Sequence, residues 1–213
     1  MDVKEIWPTY IGISQREKSQ CSDHSSIYSL LKKINDEGNV TDKDGLGFVT
    51  NDYIHQYDEL QTLNDWLKDQ VHAYTDQIGW DVDKEDLFIA NSWGVVSRNG
   101  ASTHNPHIHA NSILSTVYYI NAPKGSALLG FINPELKFKS WCPDYKEKTS
   151  VTEGEYHVSP KGGQCVVFRS DVPHLTSRNN FVDDTQLQER ICIAYSWNIK
   201  NLGKKSLGLR YGL

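Results

Sequence analysis

The chain of 213 residues contains no run of about 20 apolar residues, so nothing in its pattern reads as a membrane-spanning helix. Its four cysteines, Cys21, Cys142, Cys165 and Cys192, form no CxxC pair. That argues against a zinc ribbon or a disulfide framework. Cys165 and Cys192 sit in apolar runs, where a free thiol packs as a small hydrophobe. Positive charge is in deficit. The 22 Lys and Arg face 27 Asp and Glu, for a net charge of −5 at pH 7. A large electropositive surface for nucleic acid is therefore not expected. Basic residues gather only near the C-terminus, at Lys200, Lys204, Lys205 and Arg210, and read as a solvated tail over 200–213. The first residues, MDVKEIWPTY, lack the apolar core of a signal peptide, which leads to the expectation of a reducing, cytoplasmic setting. No repeat, low-complexity tract or linker divides the chain, so 1–213 is expected to form one domain.

What is present changes character along the chain. The first third, 1–86, reads as a mainly helical buttress. Ile27, Leu30, Leu31 and Ile34 fall on one face of a helix from His24, and Gly38 is a plausible stop. A stronger stripe joins Leu60, Leu63, Trp66, Leu67, Val71, Tyr74 and Ile78, which suits packing against a sheet. Asp58 is placed to cap this second helix, with Gln61 reaching back in a capping box. From Leu87 the period changes to two. Strands are expected at Leu87–Ser97, Ser112–Asn121, Ala127–Phe131, Glu155–Val158, Gln164–Arg169 and Arg190–Trp197, separated by turn signals such as Asn99-Gly100 and Pro160-Lys161-Gly162-Gly163. Segment Lys137–Thr152 has no clear period and reads as a long loop that could border a site. Helices followed by short strands give an α+β fold that is mainly β, with residues 87–199 forming a sandwich or barrel.

The run His107-Ile108-His109 stands out. On one extended strand the two imidazoles point the same way, because side chains alternate with period two. They can then offer two nitrogens to one metal ion. His174, at a strand end after Pro173, is a candidate third ligand. Sites of this type, normally two histidines and one carboxylate, activate oxygen at non-haem Fe(II). His104 competes for the role, although Pro106 interrupts a simple strand through it. His157 and His72 are weaker candidates. Asn111 and Asp171 are further groups that could approach a metal. Along the last strand Arg190 shares a face with Cys192, Ala194 and Ser196. An arginine followed by small residues suits an interior that leaves room for an anion, gripped through two parallel hydrogen bonds. A surface ion pair with Glu189 or Asp184 is the simpler alternative. Tyr119 falls on the same face as the histidines if no bulge intervenes, and is otherwise an ordinary core tyrosine. Trp93, Trp141 and Trp197 are candidates to line a cleft.

In order along the chain, His107-Ile-His109-Ala-Asn-Ser-Ile-Leu-Ser-Thr-Val-Tyr-Tyr-Ile-Asn121, Pro160-Lys-Gly-Gly163 through Phe168-Arg-Ser170 to His174, and Arg190-Ile-Cys-Ile-Ala-Tyr-Ser-Trp-Asn198 resemble the 2-oxoglutarate- and Fe(II)-dependent dioxygenases. The resemblance is closest to a branch found in bacteria and phages that carries a His-x-His-Pro-x-Ser element. Ile6-Trp7-Pro8-Thr9 is similar to that branch's N-terminal Phe-Pro-Thr. The resemblance implies a double-stranded β-helix, the cupin-like jelly roll, with iron at one mouth. It implies His107, His109 and His174 as metal ligands, with His109 at the position usually held by Asp or Glu. It implies Arg190 and Tyr119 as the residues that bind 2-oxoglutarate. Ala110 stands where the branch has proline, and Cys192 where it has serine.

The implied activity is hydroxylation of a C–H bond, with succinate and CO2 formed from 2-oxoglutarate and O2. The substrate, a small molecule or a peptide, is not legible, and the helical first third could offer a homodimer face. Two other readings stay open on the residues alone. One is a three-histidine cupin-like dioxygenase that uses no 2-oxoglutarate. The other is a non-catalytic jelly-roll binding module.

Overall fold

The structure, a computed structural model, describes residues 8–43, 46–101, 103–134, 144, 146–149, 152–182 and 188–200. Most of the expected loop Lys137–Thr152, with Trp141 and Cys142, lies outside the described residues, as do Asp184 and the tail beyond Lys200.

The two apolar stripes become two helices. Helix α1, His24–Asp36, buries Ile27, Leu30, Leu31 and Ile34. Its end is set by Gly38, whose φ of +78° suits glycine. The amides of Gly38 and Asn39 turn back onto the carbonyls of Asn35 and Ile34, which satisfies the last free acceptors. Helix α2, Gln61–Gln77, buries Leu63, Leu67, Val71 and Tyr74. The expected Asp58 cap does not form. A 3-10 turn over Asp58–Leu60 precedes the helix, Leu60 takes the N-cap place, and neither turn nor helix has a side-chain cap bond. Gln61 instead donates to the carbonyls of His55 and Tyr57.

Eleven strands follow in the described residues: β1 Ile11–Gln15, β2 Val40–Lys43, β3 Gly47–Thr50, β4 Leu87–Ser97, β5 His104–His107, β6 Leu114–Asn121, β7 Leu129–Ile132, β8 Glu155–Val158, β9 Gln164–Arg169, β10 His174–Thr176 and β11 Arg190–Ile199. They pair antiparallel into two sheets. The larger has the order β1-β9-β6-β11-β4-β3-β2 and the smaller β5-β10-β7-β8. This is the double-stranded β-helix that the resemblance implied. The first 86 residues are less helical than expected, because β1, β2 and β3 extend the larger sheet at both edges.

Strand alternation divides the larger sheet between two cores. On one face Tyr118, Ile120, Ile191, Ile193, Tyr195 and Trp197 pack under α1 and α2. On the other, Tyr119, Cys192, Val95, Val166 and Phe168 meet Leu129, Phe131 and Val158 of the smaller sheet. Gly94 allows α1 to settle on β4. A Cβ there would run into the Leu31 side chain, which is fully buried. The inner core is interrupted by an open cleft lined by residues of both sheets.

Candidate metal and anion site

The cleft is lined from both sheets. At its mouth β5, the exposed edge strand of the smaller sheet, pairs with β10 so that His107 lies directly opposite His174. An edge accepts Pro106, whose missing N–H would break an interior ladder. The two imidazole centroids are 4.3 Å apart. His109 does not continue the strand as expected. The chain leaves β5 after His107, Ile108 turns outward at 51% exposure, and His109 returns inward in the connection to β6. The result is nevertheless convergence. One nitrogen from each of His107, His109 and His174 falls within 4.8 Å of the others, and Nε2 of His109 lies 3.1 Å from Nε2 of His174.

The protonation pattern suits a cation. Nδ1 of His107 lies 2.7 Å from the Asn105 carbonyl, and Nδ1 of His174 lies 2.9 Å from that of Val172. A carbonyl only accepts, so both Nδ1 atoms carry a proton, and in the neutral form of either ring Nε2 presents a lone pair. Burial lowers His174 to about 4, with neighbouring imidazoles acting in the same direction against the Val172 bond. Burial and the proximity of His107 lower His109 to about 4 as well. Both rings are therefore neutral at pH 7. Two Nε2 atoms at 3.1 Å need something between them, either a single shared proton or a metal ion. The donor set thus fits a divalent transition metal, for which imidazole is a common ligand.

No carboxylate joins this cluster among the described residues. Asp171 is exposed and held by Arg169 through two bonds of 2.9 and 2.6 Å. The side chain of Asn198 donates to the carbonyl of Asn111, which is exposed. His104 lines the cleft beside His107 without entering the cluster. His157 pairs with Glu155, and His72 with Asp76 on α2. Trp93 lines the cleft and stacks on His109, with centroids 5.5 Å apart. Phe168 meets the His174 ring edge to face. Trp197 is instead buried under the helices, its indole N–H donating to Thr116.

Deeper in the cleft are Arg190 and Tyr119. Arg190 is 6% exposed. It donates to Ser97 Oγ at 3.3 Å and to Cys192 Sγ at 3.4 Å, and its guanidinium carbon lies 5.8 Å from the centre of the Tyr119 ring. Its Nε has no partner, and among the described residues no carboxylate bonds it. The alternative pair with Glu189 is overturned by alternation. Glu189 faces the helices, where it accepts from Tyr28, Lys32 and Arg98. Ala194 and Cys192 keep the space beside Arg190 open, as their small side chains suggested. Burial raises the phenol of Tyr119 well above its ordinary value, so it stays a hydrogen-bond donor. A buried guanidinium and a neutral phenol in one cleft have the chemistry to hold a carboxylate.

Sequence reasoning had not assigned a role to Ser170, Ser112 or Ser97. Ser170 belongs to the stretch Phe168-Arg-Ser170 to His174 that carries the resemblance, without a role of its own there, and its hydrogen-bond partners are all distant in sequence.

The fold is the double-stranded β-helix, and its cleft brings together three imidazoles whose donor set fits a metal ion. Residues 91–196, about half of the chain, match the family described as "Putative 2OG-Fe(II) oxygenase". The chain belongs to the 2OG-Fe(II) oxygenases, oxidoreductases whose cofactors are Fe(II) and 2-oxoglutarate. Solved structures share the fold at low identity. A prolyl-4-hydroxylase from Pseudomonas putida is 13% identical, with 90% of this chain and 94% of that chain covered and a TM-score of 0.57. A prolyl hydroxylase from Trichoplax adhaerens, solved with a peptide fragment of the hypoxia inducible factor oxygen degradation domain, is 11% identical, with 93% and 86% covered and a TM-score of 0.58. HygX from Streptomyces hygroscopicus, solved with nickel, 2-oxoglutarate and hygromycin B, is 12% identical, with 91% and 84% covered and a TM-score of 0.56. No curated protein matches the chain. No helix among the described residues is long and apolar enough to cross a membrane.

Proposed function

We propose that the whole chain, 1–213, works as one catalytic unit that hydroxylates a C–H bond of a small molecule or peptide, forming succinate and CO2. His107, His109 and His174 hold Fe(II), and Arg190 with Tyr119 holds the far carboxylate of 2-oxoglutarate. The observation that carries this reading is Arg190. A guanidinium buried without a carboxylate partner among the described residues shares one cleft with three converging imidazoles.

When bound, Fe(II) and 2-oxoglutarate supply the chemistry that splits O2 and yields an oxidant able to take hydrogen from carbon. The chain's own residues do the rest. The Asn105 and Val172 carbonyls fix the tautomers of His107 and His174, so each presents Nε2. Arg190 offers two parallel N–H donors to a carboxylate, and Tyr119 keeps its proton to add a third. Phe168 and Phe131 screen His174 from water on the core side. The exposed strand β5 leaves the mouth open for a substrate group to reach the histidines.

The test is turnover. The Fe(II)-loaded chain is expected to convert 2-oxoglutarate into succinate with matched O2 uptake, and His174→Ala is expected to abolish both. Succinate formation that is unchanged in His174→Ala would overturn the assignment.

A further inference from the structure

His109 is held differently from the other two imidazoles. His107 and His174 stand in strands and lock their rings on carbonyls two residues back. His109 stands in the connection between the two sheets, and its ring lies between those of Trp93 and His174. No carbonyl fixes its second nitrogen among the described residues. Its position therefore depends on how the connection is tied down.

Three ties converge on Ser170, which is fully buried. The His109 amide donates to the Ser170 carbonyl at 2.9 Å, and the Ser170 amide donates to the Ile113 carbonyl at 3.0 Å. Between these backbone bonds, Ser112 Oγ donates to Ser170 Oγ at 2.8 Å. Ser170 Oγ also lies 2.8 Å from Ser115 Oγ at the start of β6. One hydroxyl can accept the first bond and donate the second, so the three serines form a satisfied chain. Ser170 also opens the short turn into β10, the turn that carries the Val172 carbonyl and then His174. A single residue thus joins the loop of one histidine to the turn of another.

We propose that Ser170 is a positioning residue for the metal site. Its hydroxyl sets the depth of the His109 loop against the His174 turn, and so holds the two Nε2 atoms close enough to share one ion. This rests on reading the three histidines as metal ligands. Deleting the hydroxyl leaves the two backbone bonds in place and cuts the side-chain tie, so the loss falls on placement rather than on folding.

The test is a Co(II) titration of the full chain, read by visible d–d absorption, on wild type, Ser170→Ala, His109→Ala and the double variant. Groups that orient a ligand typically change metal affinity by about 10- to 100-fold. Ser170→Ala is expected to weaken Co(II) binding by at least about tenfold, and that loss is expected to vanish in the His109→Ala background, because the two act as a unit. If Ser170→Ala does not fold, Ser112→Ala, at a partly exposed position, takes its place in the same cycle with the same expected pattern. Unchanged affinity in the serine variant, or a loss that persists without His109, would overturn the proposal while leaving the metal site standing. A wild type that binds no Co(II) would overturn the metal site and this proposal together.

Discussion

Replacing Arg190 by Met should make the ligand-free protein more stable. Ordinarily the loss of a buried arginine is destabilising, because it strands a buried carboxylate. Here none bonds it among the described residues, its Nε has no partner, and its other bonds go to neutral groups. Burying an ion without a counter-charge costs several kcal/mol, and replacing buried charge by a well-packed apolar side chain is often stabilising by about 1–4 kcal/mol. The contacts to Ser97, Cys192 and the Tyr119 ring offset part of that cost, the ring by about 0.5–2 kcal/mol. The net gain expected for Arg190→Met is about 1–3 kcal/mol, which for a chain of this size raises Tm by roughly 2–10 °C. Saturating 2-oxoglutarate acts in the opposite sense. At about 100 times Kd it stabilises the metal-loaded wild type by about 2.7 kcal/mol, or roughly 5–10 °C. The variant has lost the group that grips the carboxylate and should not respond. The assay is thermal unfolding of Ni(II)-loaded protein with and without 2-oxoglutarate, for both chains. A ligand-free variant that melts well below wild type would refute the reasoning, since Arg190 would then have a structural partner. An undiminished response to 2-oxoglutarate in the variant would refute it independently.

Three other outcomes follow from the structure. Burial pushes the Glu189 carboxyl up, but the bonds from Tyr28, Lys32 and Arg98 outweigh it and hold it below its ordinary value of 4.5. A depressed pKa gives stability that is present above the unfolded value and lost as pH falls through the folded one. Glu189→Gln should therefore cost about 2–3 kcal/mol in urea unfolding at pH 7, and the gap to wild type should narrow as pH falls below the ordinary carboxylate value of 4.5. Gly94→Val should cost about 1–3 kcal/mol by forcing β4 and α1 apart, and Leu31→Ala in the same chain should recover part of it, again in urea. Trp93 stacks on His109, so Co(II) binding should change the intrinsic fluorescence, and Trp93→Phe should remove most of that change.

The elements with a strong pattern were legible, and those without one were not. Strands β4, β8 and β9 have the expected bounds, and the stripes from Ile27 to Ile34 and from Leu60 to Ile78 became the helix faces of the core. Strand β5, His-Asn-Pro-His, is exposed along its whole length and carries a proline, so alternation has nothing to register. Strands β2, β3 and β10 are three or four residues long and were not expected, although β8, also of four residues, was. The three histidines could be picked out, yet the expected reason for their grouping was incomplete. His107 and His109 do not share a strand face, and what joins them is a connection fastened through Ser170. Arg190 was legible because the small residues after it make sense only beside a space. Its lack of a carboxylate partner, and the turning of Glu189 toward the helices, required the packing of α1 against β11 to be seen.

The central claim is that the histidines and Arg190 build one site for Fe(II) and 2-oxoglutarate. The most direct measurement is an anaerobic titration of the Fe(II)-loaded chain with 2-oxoglutarate, watched for the visible charge-transfer band of a chelated 2-oxoacid. The account predicts a saturable band in wild type that requires far more 2-oxoglutarate in Arg190→Met. Bound iron with no band, or a band that saturates identically in the variant, would contradict it.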